Sequence, residues 1–129
     1  MPRFATRHLA DAPDATAPDG SEVRLLAVTE RGSMAHFRLS TGATARAVVH
    51  RSVEEVWFFT AGRGEMWRAD GEGEETIAVH AGVSISLPVG TRFQFRAARD
   101  SHLEAVGVTM PPWPGPEEAE FVAGAWEAE

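Results

Sequence analysis

His50 and Glu55, five positions apart, are the residues of this chain best suited to moving a proton. An imidazole beside a carboxylate can exchange protons near neutral pH, and a neighbouring guanidinium can hold an anionic or carbonyl oxygen. Arg46 is the candidate guanidinium. Side chains alternate across a strand, so an inward His50 brings Val48 and Arg46 with it, and an inward Glu55 brings Trp57 and Phe59. A hairpin turn over residues 60–63 would carry the inward face on through Gly64, Met66 and Arg68. Phe93, Phe95 and Ala97 share one face of a later strand. The implied cavity has Trp57, Phe59, Met66, Arg68, Phe93 and Phe95 as ligand contacts around a small polar group of His50, Glu55 and Arg46, the composition of a small-molecule pocket. Plainer readings stand beside this one. His50 could be a hydrogen-bonded core histidine, the aromatic residues and Met66 could be core alone, and an Arg46–Glu55 bridge could be purely structural. Glu55 needs some partner, because an unpaired carboxylate in an apolar interior is costly.

The elements that must position these residues are strands. From Glu22 onward, short apolar runs are broken by turn signals every eight to twelve residues, the rhythm of an all-β sandwich or barrel. The expected strands are 23–29, 34–39, 45–50, 55–60, 64–69, 75–79, 83–87, 92–97 and 103–109. Glu65 and Trp67 fall on the outer face, where Trp67 suggests a subunit contact. Residues 1–21 form an arm with little structure of its own, ending in the turn sequence Ala17-Pro18-Asp19-Gly20. Residues 22–110 form the barrel. Residues 111–129 form a tail that opens with four prolines in six residues, an extended segment laid across the barrel and pinned by Trp113. Beyond it, the tail reads either as a helical turn opened by Pro116 or as a last strand through Phe121 and Val122.

Composition narrows the function. The chain of 129 residues is one domain by length, and with no cysteine it has no disulfide, thiolate ligand or cysteine nucleophile. Twelve basic against nineteen acidic residues, a net charge of −7, argue against nucleic acid as a partner. The first twenty residues lack a continuous apolar run, so neither a signal peptide nor a membrane anchor is expected, and the expected location is cytoplasmic.

Two motifs add a resemblance. The spacing Gly42-x5-Val48-x-His50-x4-Glu55-x6-Gly62 resembles the first signature of the cupins, and Gly82-x5-Pro88-x-Gly90-x2-Phe93 resembles the second in outline. The resemblance implies an all-β fold, the double-stranded β-helix or cupin jelly-roll barrel. It places His50 and Glu55 on a histidine and a glutamate ligand position of that family. Val48 and Phe93 take the other two histidine positions, and Ala97 replaces a frequent asparagine. One imidazole and one carboxylate hold a divalent ion poorly. No cofactor is therefore expected, and any divalent metal would be weakly held by His50 and Glu55. The fold hosts many chemistries. The expectation is a small-molecule-binding protein acting as a metal-independent acid/base enzyme, of dehydratase, isomerase or cyclase type, on a carbonyl-bearing metabolite. The alternatives are a non-catalytic ligand-binding or sensing domain, and a metal-dependent oxygenase or isomerase with a reduced ligand set. Open sheet edges make a homodimer the expected assembly.

Overall fold

The computed structural model describes residues 3–128. Ten strands follow one another: β1 (Ala15–Thr16), β2 (Glu22–Val28), β3 (Ser33–Leu39), β4 (Val48–His50), β5 (Glu54–Asp70), β6 (Gly73–His80), β7 (Ser84–Leu87), β8 (Arg92–Ala97), β9 (Leu103–Met110) and β10 (Ala119–Phe121). A short 3-10 turn, Pro116–Glu118, precedes β10. Every pairing is antiparallel, along the path β1-β2-β3-β9-β5-β8-β4-β10 with β6 and β7 also on β5.

β5 makes the fold. Its 17 residues run through both sheets: the first half pairs with β9 and β7, the second with β6 and β8. The hairpin expected over residues 60–63 is therefore absent, and a β-bulge stands in its place. Phe59 faces Ala105 while Ala61 faces Glu104, so β5 carries one extra residue there. An extra residue shifts the inward parity by one and bends the strand. Inward positions are odd up to Phe59 and even from Gly62, which is why Met66 still reaches the core although no turn reverses the chain. The glycines read as turn residues serve close approach instead. Gly62 has φ 80, and a side chain there would run into the His102 carbonyl.

The core lies between the two sheets, with Phe59, Met66, Phe95, Leu103, Val48 and Val79 almost completely buried. Each large apolar side chain buried this way contributes about 1.5–3 kcal/mol. A second cluster lies on the outer face, where Trp67, Ala47 and Ala69 are covered by Val122 and Trp126. Trp67 is thus covered by the chain's own tail, which corrects its reading as an exposed subunit contact. Gln94 clamps that tail by donating to the Trp126 carbonyl and accepting from the Trp126 amide, while Arg96 stacks 4.0 Å over the Trp126 ring. The tail is both of the forms weighed for it, a single 3-10 turn opened by Pro116 and then a strand, β10, paired with β4.

The arm is tied down from Ala10 onward. β1 pairs with β2, and the Arg24 guanidinium donates to the carbonyls of Ala10 and Asp11. Among the described residues, no helix is long and apolar enough to cross a membrane.

Candidate functional site

β4 and β5 bring His50 and Glu55 together at one wall of a cavity of about 520 Å³, a size within the usual range for small-molecule sites. Glu55 is 3% exposed. Its Oε1 accepts from the Trp57 indole N–H and the Thr109 hydroxyl, both at 3.2 Å. His50 Nδ1 lies 2.9 Å from Glu55 Oε2. That contact is within ion-pair range but off the line of a hydrogen bond, so Oε2 has no aligned donor among the described residues. The imidazole is wedged between two aromatic edges, Phe93 at 5.2 Å and Trp113 at 5.1 Å between ring centroids. Trp113 comes from the proline-rich segment, whose amide is anchored on the Ser33 hydroxyl. Phe37 stacks on Trp57 at 4.8 Å and extends the aromatic wall.

Of the sequence-derived candidates, His50, Glu55, Trp57 and Phe93 line this cavity. Arg46 does not. It is exposed, and its guanidinium sits 3.4 Å over the Phe121 ring on the outside of the barrel. Alternation misplaced it because β4 begins only at Val48. The irregular stretch before it buries Ala45 and Val48, three apart, in the same core cluster and so slips the face by one residue. Phe59, Met66 and Phe95 fill the core behind the cavity rather than lining it. Arg68 is turned toward β6 and β7, donating to the Ser86 carbonyl and the Glu75 carboxylate.

The arm supplies a group that sequence reasoning missed. Asp19 lines the same cavity and is 8% exposed. Gly20, at φ 99, closes a tight turn back onto Ala17, which leaves Asp19 at its tip facing the barrel. The Asp19 carbonyl accepts the Arg46 amide at 2.7 Å, which stitches the arm to the segment before β4. Asp19 Oδ1 takes both the amide and the hydroxyl of Ser21. Burial pushes its carboxyl above the usual range. The Ser21 hydrogen bonds and the His50 charge pull the other way without offsetting it, and the negative Glu55 adds to the rise. Only its place in a turn sequence marked Asp19 in the chain, and that signal speaks of backbone and not of burial.

The folds of several solved structures match this one. A Bacillus halodurans protein superposes with TM-score 0.66 at 15% identity, over 84% of this chain and 79% of that one. KdgF from Halomonas matches with TM-score 0.63 at 15% identity, over 81% and 88%. A Lactobacillus farciminis oxalate decarboxylase, solved as a formate complex, matches with TM-score 0.71 at 18% identity, over 93% of this chain but 38% of that one. The chain spans less than a third of the Bacillus subtilis oxalate decarboxylases it also matches. No protein-family model and no curated protein matches the sequence. The chain has the cupin fold, with a degenerate metal site. Val48 and Phe93, at the two missing ligand positions, face each other directly across β4 and β8. They are 1% and 3% exposed and close that corner with hydrocarbon. Among the described residues no group of three His, Cys, Asp or Glu side chains could hold an ion. The residues present do not fit the fold family's metal.

Proposed function

We propose that this cupin-fold chain binds a small, carbonyl-bearing organic molecule between its sheets and acts on it by acid/base chemistry, as an isomerase, dehydratase or cyclase that works without a resident metal. The supporting observation is the His50–Glu55 pair, held at 2.9 Å on the wall of a cavity lined mostly by aromatic and aliphatic side chains. Glu55 is anchored by Trp57 and Thr109 and faces Nδ1, so Nε2 is the ring nitrogen left to take a proton from a ligand and return it. A slight turn of the ring would align Nδ1 with Oε2, and catalytic hydrogen bonds commonly tighten in this way when ligand binds. Glu55 then fixes the ring and balances the imidazolium. The apolar walls exclude water and favour a compact ligand with few polar groups.

A ligand-binding protein without catalysis is the second reading. It is favoured by the position of Arg46 outside the barrel, because the guanidinium that would have held a developing oxyanion is not in the cavity. Thermal-shift screening of a metabolite library, followed by NMR of each stabilising compound, separates the two. Turnover that is lost in His50→Gln supports the enzyme, whereas binding without turnover supports the second reading. Stoichiometric iron, manganese, nickel or zinc in the purified protein would overturn the metal-independent mechanism.

A further inference from the structure

Arg7, Asp19, His50 and Glu55 are the charged or titratable residues that line the cavity. Two of them form the pair already described. Arg7 is exposed on the arm, whereas Asp19 is buried. Its Oδ1 is committed to Ser21, and its Oδ2 accepts no hydrogen bond from any described residue. Burial disfavours the charged carboxylate more than the neutral acid, and the acid has a proton to give. Ser21 is completely buried and bonds Asp19 with both its amide and its hydroxyl. The turn that carries Asp19 is held at its ends by the β1–β2 pairing and at Asp19 itself by the Arg46 amide. The group is therefore positioned, not merely tethered.

We propose that Asp19 is the second proton-carrying group of the cavity, a neutral carboxylic acid that hydrogen-bonds the carbonyl oxygen of the bound molecule and protonates it while His50 acts on the adjacent carbon. This rests on the acid/base reading given above. In the forward step the Cα–H bond breaks, its proton goes to His50 Nε2 and its electron pair forms the C=C bond. The carbonyl π pair takes the proton from Asp19, leaving an enol, an imidazolium and an Asp19 carboxylate. In the return step Asp19 recovers its proton from the enol hydroxyl and the imidazolium delivers its own to carbon, so no external oxidant or reductant is needed. Asp19 fills the role for which Arg46 was the sequence candidate, by donating a proton and not by fixed charge. Burial of Asp19 and, less, the nearby Glu55 charge shift it toward the neutral form, against the Ser21 hydrogen bonds and the His50 charge.

Two measurements on the full chain test it. Infrared difference spectra of wild type against Asp19→Asn should show a protonated-carboxyl C=O stretch at pH 7 that disappears in the variant and survives in Glu55→Gln. Absence of that band, or its survival in Asp19→Asn, overturns the proposal whatever the activity. The second reads α-proton exchange in D2O by NMR, with dihydroxyacetone, pyruvate and cyclohexanone as probes. Asn at position 19 can still accept from Ser21 and donate a hydrogen bond but cannot give up a proton. Asp19→Asn should therefore slow exchange about 10²-fold or more with little change in probe affinity. Exchange unchanged in Asp19→Asn but lost in His50→Gln refutes the role of Asp19 and leaves the acid/base reading intact. Wild type no faster than buffer on all three probes, or as fast in His50→Gln, counts against the acid/base reading and the proposal with it. Circular dichroism confirms that each variant is folded.

Discussion

Replacing the hydrocarbon corner with imidazoles is the sharpest test of why this site does not fit a metal. The double substitution Val48→His and Phe93→His sets two imidazoles on cross-strand partners beside His50 and Glu55. Without an ion the change is expensive. Both positions are almost fully buried, and each new ring brings a polar group that costs about 1–3 kcal/mol if unpaired, on top of the lost packing of Phe93. The sum is about 3–6 kcal/mol against a typical domain stability of roughly 5–15 kcal/mol, so the apo double variant should be folded but weakened. At a few degrees per kcal/mol, its melting temperature should fall by about 10–20 °C. An ion that binds only the folded form at a thousand times its Kd returns about 4 kcal/mol, most of that loss. Differential scanning fluorimetry with and without zinc, manganese and nickel, paired with elemental analysis, reads both effects. Wild type should show neither stoichiometric metal nor a metal-dependent shift, and the double variant should show both. If the double variant gains no metal, the two hydrocarbon side chains are not what prevents binding. If wild type already carries a full complement, the reading of this site is wrong from the start.

Glu118 offers a test of how the tail is held. Its buried carboxylate accepts the Ser52 amide and hydroxyl and the Val53 amide, so Glu118→Ala should cost about 2–4 kcal/mol in urea unfolding and Glu118→Gln about half of that, and a loss below about 0.5 kcal/mol for the alanine would refute the latch. Burial raises the carboxyl of Glu118, but the Ser52 and backbone hydrogen bonds outweigh it and hold it below the ordinary value. Its contribution is therefore complete above the unfolded-state value and disappears as pH falls through the lower folded-state value. Wild type should accordingly lose more stability on acidification than Glu118→Gln does. Gly62→Ala combines a left-handed backbone with a collision against the His102 carbonyl, and should cost about 2–5 kcal/mol or prevent folding, whereas Gly71→Ala, with open space around it, should change thermal stability far less.

The signals for His50 and Glu55 were local, since both fall within one short motif whose spacing places them on consecutive strands, β4 and β5. The signals for the other cavity residues were not. Alternation assigns faces correctly only while the chain is a strand, and it failed at Arg46 because the ladder starts two residues later. It succeeded at Met66 for a reason the sequence conceals: a turn and a one-residue bulge both restore the inward face, and Ala61-Gly62-Arg63-Gly64 suits either. Only the pairing of β5 with both β9 and β8 decides between them.

Asp19 and Trp113 lie 94 positions apart by numbering, in the two segments read as an arm and a tail, yet both line the cavity that holds His50. Neither can be placed by periodicity, because a proline-rich segment and a turn have none. The barrel supplies the His50–Glu55 pair, while the segments outside it supply the buried Asp19 carboxyl on one side and an indole edge on the other. Two chains with this barrel and these two motifs could thus have quite different ligands, depending on the segments that close the cavity. Ligand choice should therefore respond to substitutions at residues 15–19 and 112–116 more than to substitutions at Phe59, Met66 or Phe95, which fill the core without lining the cavity.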